Sequence, residues 1–135
     1  MSNIPRNINF LIADDYFSTR KLLKDHLRSF GFTGEIVEAE NMSVARDLIA
    51  TYDRTFGFII SDMETPSGTG LDLLGYVRNI PAYKNIPFLV LSAVSDKTII
   101  MKSIQGGASN YLIKPWSKEL LAQKLEACWT KHYPK

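Results

Sequence analysis

Five short apolar runs, rich in β-branched and aromatic residues, alternate with five segments of helical period along the 135 residues of the chain. The runs cover 8–13, 35–39, 56–61, 88–91 and 111–113. Each is too short for a helix and is bounded by polar or turn-forming residues. Strands that read as nearly continuous apolar runs must be covered on both faces, which a parallel sheet between two layers of helices provides. Five βα units in strict alternation therefore predict an α/β fold.

The helical segments carry their own punctuation. Over 17–30, Leu22, Leu23, Leu27 and Phe30 form one stripe, and Gly31 supplies a stop. Asn41 or Ser43 can cap a helix over 44–52, which carries Val44, Leu48 and Ile49 on one side. A third helix over 71–80 ends before Pro81. Asp96 can cap 97–105, closed by Gly106 and Gly107, and Ser117 can cap 118–131 with Glu119 in the first turn. Right-handed crossovers leave few topologies, and the common one at this size is the flavodoxin-like doubly wound (βα)5 sheet with strand order 2-1-3-4-5. One domain over 1–135 is expected, its core at about 7–131, with no output domain.

Composition removes several function classes. A net charge of +2, with basic residues scattered, gives no footprint for nucleic acid, and no helix-turn-helix follows the fifth unit. No apolar run approaches the ~18 residues of a membrane span, and the N-terminus lacks the apolar core of a signal peptide. A cytoplasmic protein with no membrane insertion is expected. The single cysteine, Cys128, cannot form an internal disulfide and falls in helical register with Leu121 and Leu125, as a packing residue would. His26 reads as a boundary residue of the first helix, His132 as solvated in a polar tail, and Trp129 as packing the fifth helix on the sheet.

The chemistry sits at the strand ends. Asp14 and Asp15 follow FLIA, Asp62 follows FGFIIS, Ser92 follows PFLVL, and Lys114-Pro115 follows NYLI. Taken singly, each has an ordinary reading as a helix cap, a loop residue or half of an ion pair. In an open parallel sheet, however, the carboxyl ends of the strands converge on one crevice, where such folds bind ligands. The first strand normally lies beside the third, which brings Asp14 and Asp15 near Asp62. Three carboxylates there repel one another unless a cation joins them, and hard oxygen donors suit Mg2+. Lys114 could hold an oxygen of Asp62 and offset charge on a bound phosphoryl group, to which Ser92 could donate its hydroxyl.

From Phe10 to Lys131 the chain resembles a receiver domain of two-component response regulators, especially the single-domain CheY-like kind. The resemblance rests on LIADDY, IISDMETPSGTGLDLL, LVLSAV and GASNYLIKP. It implies that Asp62 accepts a phosphoryl group from a histidine kinase or a histidine phosphotransfer protein. It further implies that Asp15 and Asp62 bind Mg2+ directly, that Asp14 acts mainly through water, and that the Glu64 carbonyl is a further ligand. Lys114 would bridge to Asp62 and then to the phosphoryl oxygens, across a cis Lys114–Pro115 bond. Ser92 and Tyr111 would be the switch pair that remodels the face of the fourth helix, fifth strand and fifth helix for a downstream target. Ile100, Ile104, Tyr111 and Trp116 are the residues expected there, with the isoleucines equally readable as core contacts. Such a domain would catalyse its own phosphorylation and dephosphorylation without turning over an external substrate.

Two departures from the family pattern bear on the lifetime of a phosphorylated form. Glu64 stands where many relatives carry a shorter polar or apolar group, and Val94 offers no polar group to position an attacking water. Thr69-Gly70 replaces the frequent Asp-Gly while keeping the glycine. Three rival readings fit parts of the same sequence. A haloacid-dehalogenase-type phosphatase would accept Glu64 as its second acid, but Pro66 fails its next requirement. A flavin protein would need hydroxyls and backbone donors where Asp14 and Asp15 stand. A non-phosphorylated pseudo-receiver, acting as a protein-binding module, is opposed by the complete set Asp14, Asp15, Asp62, Ser92 and Lys114.

Overall fold

The computed structural model describes residues 3–65, 68–93 and 97–134. Five strands, β1 (Asn9–Ala13), β2 (Ile36–Ala39), β3 (Phe56–Asp62), β4 (Phe88–Ser92) and β5 (Asn110–Ile113), pair in parallel in the order 2-1-3-4-5. Between and after them run α1 (Phe17–Ser29), α2 (Met42–Thr51), α3 (Gly70–Arg78), α4 (Lys97–Gln105) and α5 (Lys118–His132). The flavodoxin-like doubly wound fold expected from the alternation is the fold observed.

Alternation of side chains along the central strands builds two cores. Phe10 and Ile12 of β1 and Phe58 and Ile60 of β3 point to the face covered by α1 and α5, where they meet Leu23, Leu27, Leu121 and Leu125. Leu11 and Ala13 of β1 and Ile59 of β3 point the other way, against Ala45 and Ile49 of α2 and Leu73, Leu74 and Val77 of α3. Phe10 anchors the first core, stacked on Phe58 at 5.4 Å and edge-on to Phe32 at 4.9 Å. Burial of such side chains supplies about 1.5–3 kcal/mol each and holds the strand ends rigidly. Cys128 is fully buried in this core, and burial pushes its thiol up to about 12.

Helix starts follow the local chemistry. Asn41 Oδ1 accepts from the Val44 amide at 2.9 Å, Thr69 Oγ1 from Asp72 at 3.1 Å, and Ser117 Oγ from Leu120 at 3.1 Å. Asp96, the expected cap of α4, lies outside the described residues. Gly107, at φ +105°, ends α4 in the left-handed region that glycine tolerates. Of the stripe expected on α1, Leu23 and Leu27 are buried, whereas Leu22 is exposed.

Two features go beyond or against the sequence reading. Glu64–Thr65 and Gly68–Thr69 form a short antiparallel pair directly after Asp62. His132, expected in a solvated tail, closes α5 with Nε2 2.7 Å from Ser109 Oγ, which also accepts the Phe88 amide at 3.0 Å. Among the described residues no helix is long and apolar enough to cross a membrane.

Candidate functional site

Strand register assembles the site. Ala13 lies beside Ser61, so Asp14 and Asp62 follow adjacent positions of neighbouring strands. Asp62 lies beside Leu91, and Ser92 beside Ile113, which puts Lys114 at the end of the next strand. A cavity of about 360 Å³ opens there, with Asp15, Asp62, Glu64, Ser92 and Lys114 among its lining residues. Gly70 packs against the backbone just after Asp62: its amide donates to the Met63 carbonyl at 2.5 Å, and a Cβ at that position would overlap the Asp62 carbonyl oxygen.

The four charged groups have different surroundings. Asp14 is completely buried, with Oδ1 accepting from the Tyr16 amide at 2.9 Å and Oδ2 from Lys114 Nζ at 2.8 Å. Both of its oxygens are thus engaged. Asp62 is 7% exposed, and its Oδ1 lies 3.4 Å from Lys114 Nζ. Asp15 differs from both, since its Oδ1 is buried and has no hydrogen-bond partner. One oxygen from each of Asp14, Asp15 and Asp62 lies within 4.8 Å of the others.

These surroundings set the protonation states. Burial pushes the Asp62 carboxyl up, Lys114 pulls it down and Asp14 and Asp15 push it up again, leaving it at about 6. Burial alone would lower the Lys114 ammonium, but the Asp14 hydrogen bond and the charges of Asp62 and Asp14 raise it above its ordinary value. Lys114 therefore stays charged at neutral pH, while one ammonium shared between two carboxylates leaves the cluster short of positive charge. A hard divalent cation fits this deficit on two counts. It would take up the unpartnered Asp15 oxygen, and its preference for oxygen ligands matches an all-carboxylate set.

The remaining expected residues divide into two regions. Ser92 is buried at the cavity wall, and Glu64 is exposed at the mouth. Tyr111 is half-buried with Lys124 Nζ 4.3 Å from its ring centroid. The core contacts of α4 come from Ile99 and Ser103, whereas Ile100 is half-buried and Ile104 is 39% exposed beside the exposed Met101. Trp116 lies apart from them, in a groove shared with Ser18, Thr19 and Leu22 of α1 and with Pro115, and its indole N–H is buried without a partner. The Lys114–Pro115 bond is cis. Val94 lies outside the described residues.

Sequence reasoning missed three residues of the site. Tyr16 closes the hydrogen bonding of Asp14, Met63 lines the cavity next to Asp62, and Arg20 donates from Nη1 to the Asp14 carbonyl at 2.7 Å. Arg20 could have been sought on the first turn of α1 facing the acids, although its reach is not legible without the fold.

Comparison with known proteins agrees with this geometry. The chain is 32% identical over 119 residues to a chemotaxis protein CheY of Pseudomonas aeruginosa, covering 88% of this chain and 94% of that protein. It is 31% identical over 121 residues to a chemotaxis protein CheY-3 of Vibrio cholerae, covering 90% and 91%. The solved structure of the chemotaxis response regulator CheY4 of Vibrio cholerae superposes with a TM-score of 0.79 at 28% identity, covering 90% of this chain and 98% of that one. The family model of the response regulator receiver domain matches residues 10–126, and the chain belongs to that family, in its CheY-like form.

Proposed function

We propose that the protein is a phosphorylation-activated switch of a two-component relay. It accepts a phosphoryl group on Asp62 from a histidine kinase or a histidine phosphotransfer protein and signals to a downstream target through the α4, β5 and α5 face. The observation that carries this reading is the buried charge cluster: Lys114 shared by Asp14 and Asp62, with an unpartnered Asp15 oxygen beside them. An oxygen of the Asp62 carboxylate attacks the phosphorus, forming a P–O bond as the P–N bond of the phosphohistidine breaks, and the imidazole leaves after gaining a proton from solvent.

Asp15 and Asp62 would hold Mg2+ directly, Asp14 through water, and the Glu64 carbonyl would add a further ligand. Bound there, the ion would supply charge neutralisation between the carboxylates and the incoming phosphoryl oxygens. Lys114 would move from sharing Asp62 to binding a phosphoryl oxygen, and Ser92 would donate its hydroxyl to another. The inward turn of Tyr111 would give up its Lys124 contact and change the surface that Ile100, Ile104 and Met101 share. Phosphorylation shifts that equilibrium only by binding the inward state better. Trp116, in its separate groove, would respond through Lys114 and Pro115 rather than as part of the α4 patch. The names of the chemotaxis relatives support a signalling output of this class.

The test is a mass measurement after incubation with acetyl phosphate and Mg2+. One phosphoryl adduct is expected on the parent, and none on Asp62→Asn or in EDTA. A parent that gains no adduct would be a protein-binding module without phosphorylation, and an adduct that survives Asp62→Asn would move the chemistry elsewhere.

A further inference from the structure

We propose that Arg20 is a positioning residue for magnesium: it fixes the Asp14–Asp15 peptide so that the Asp15 carboxylate presents its oxygen to the ion. This rests on the reading of the acidic crevice as a magnesium site.

The Arg20 side chain is 13% exposed although its charge would favour water, and its guanidinium is held at two points. Nη1 donates to the carbonyl of Asp14 at 2.7 Å, and Nε donates to Glu38 Oε1 at 3.0 Å. Glu38 stands on β2, opposite Ile12 of β1, two residues before Asp14. Its second oxygen takes Lys24 Nζ at 3.1 Å. Burial alone would raise the Glu38 carboxyl, yet Lys24 and Arg20 hold it below its ordinary value, so the anchor is a charged one.

The carbonyl that Arg20 grips belongs to the peptide joining Asp14 to Asp15. On its other side, the Asp14 amide donates to the Ala39 carbonyl at 3.0 Å, and the Asp14 carboxylate is tied to Tyr16 and Lys114. Every polar group of Asp14 is thus engaged. Asp15, by contrast, has a buried Oδ1 with no partner, so side-chain hydrogen bonding at that atom cannot aim it. The backbone must do so, and Arg20 is the side chain that clamps the backbone at that point. Groups that orient ligands in this way commonly change metal affinity about 10–100-fold when removed.

Charge argues in the opposite direction. A guanidinium near an acidic site repels a cation, so loss of Arg20 through charge alone would tighten Mg2+ binding. The two roles therefore give opposite signs.

The experiment is a Mg2+ titration followed by the amide shifts of Asp15 and Met63, on the parent, Arg20→Ala, Arg20→Lys and Lys24→Ala. Arg20→Ala is expected to weaken the dissociation constant about tenfold. Arg20→Lys, which keeps the charge but loses the fork that spans two acceptors, is expected to weaken it as well. Lys24→Ala, which leaves the Glu38–Arg20–Asp14 chain intact, should bind as the parent does. Autophosphorylation of Arg20→Ala at saturating Mg2+ should approach the parent rate, since the defect is in holding the ion. Parent-like or tighter binding by Arg20→Ala overturns the inference, as does full restoration by Arg20→Lys. A parent that binds no Mg2+ overturns the metal reading itself, which separates the two failures.

Discussion

Replacing Asp62 by asparagine is expected to stabilise the metal-free protein at pH 8, although it removes the residue on which the proposed chemistry depends. The folded state holds the Asp62 carboxyl at about 6 against an ordinary 3.8, because burial and the neighbouring Asp14 and Asp15 outweigh Lys114. The native state thus binds the Asp62 proton more tightly than the unfolded chain does. Stability from this group is full below 3.8 and is lost as pH rises through about 6, so at pH 8 the ionised carboxylate destabilises the fold. The interval corresponds to at most about 3 kcal/mol at 1.36 kcal/mol per pH unit, and screening at the open mouth of the cavity reduces this to about 1–2 kcal/mol. Asparagine keeps the shape and drops the charge. Urea unfolding in EDTA should therefore give Asp62→Asn a free energy about 1–2 kcal/mol above the parent at pH 8, the gain shrinking to about half by pH 5. Mg2+ at ten times its dissociation constant should raise the parent by about 1.4 kcal/mol and close most of the gap. An Asp62→Asn protein no more stable than the parent at pH 8 would refute the charge argument. A gain that does not change with pH would assign the effect to packing instead.

Two further outcomes test the scaffold around the site. Gly70→Ala would drive a methyl group into the Asp62 carbonyl oxygen, and displacement of the strand end is expected to cost about 1–3 kcal/mol in urea unfolding and to slow phosphorylation by acetyl phosphate. At the other end of the sheet, burial and the charges of Arg78 and Lys131 lower the His132 imidazole below its ordinary 6.5, which favours the neutral ring whose Nε2 lies 2.7 Å from Ser109 Oγ. The stability this adds is full above 6.5 and is lost as pH falls below it, because the unfolded chain then binds the proton first. Parent stability should fall more steeply than that of His132→Gln between pH 7 and pH 5, and parallel profiles would discard the buried neutral imidazole.

The fold was legible because its signal is local and repeated. Each strand is an apolar run of a few residues, and the polar residues that end four of the five runs are the ones that reach the crevice. Asp14, Asp62, Ser92 and Lys114 could therefore be brought together from strand order alone, and the observed register joins Ala13 to Ser61 and Ser92 to Ile113 as that order requires. What escaped depends on contacts that local periodicity does not encode. A pair of two-residue strands has no period to detect, so the hairpin after Asp62 left no trace. His132 looked solvated because its partner, Ser109, lies 23 positions away and becomes adjacent only when α5 packs on the sheet. Trp116 follows Pro115 at a bend, and the direction of that bend sends it towards α1 rather than α4.

The division of labour between Asp14 and Asp15 shows most clearly why residue type alone is insufficient. The two acids are adjacent and chemically the same, and strand order brings both near Asp62. Their difference comes from partners distant in sequence: Lys114, 100 positions on, occupies one Asp14 oxygen, while Asp15 keeps a buried oxygen free. That asymmetry turns a repelling acidic pair into one residue that secures the lysine and another left available for a cation. Arg20 belongs to the same logic, since it joins the carbonyl between the two acids to Glu38 on the neighbouring strand. An acidic site of this kind therefore depends on how each carboxylate is already committed, and those commitments are made by the packing of α1 and the end of β5 against the sheet.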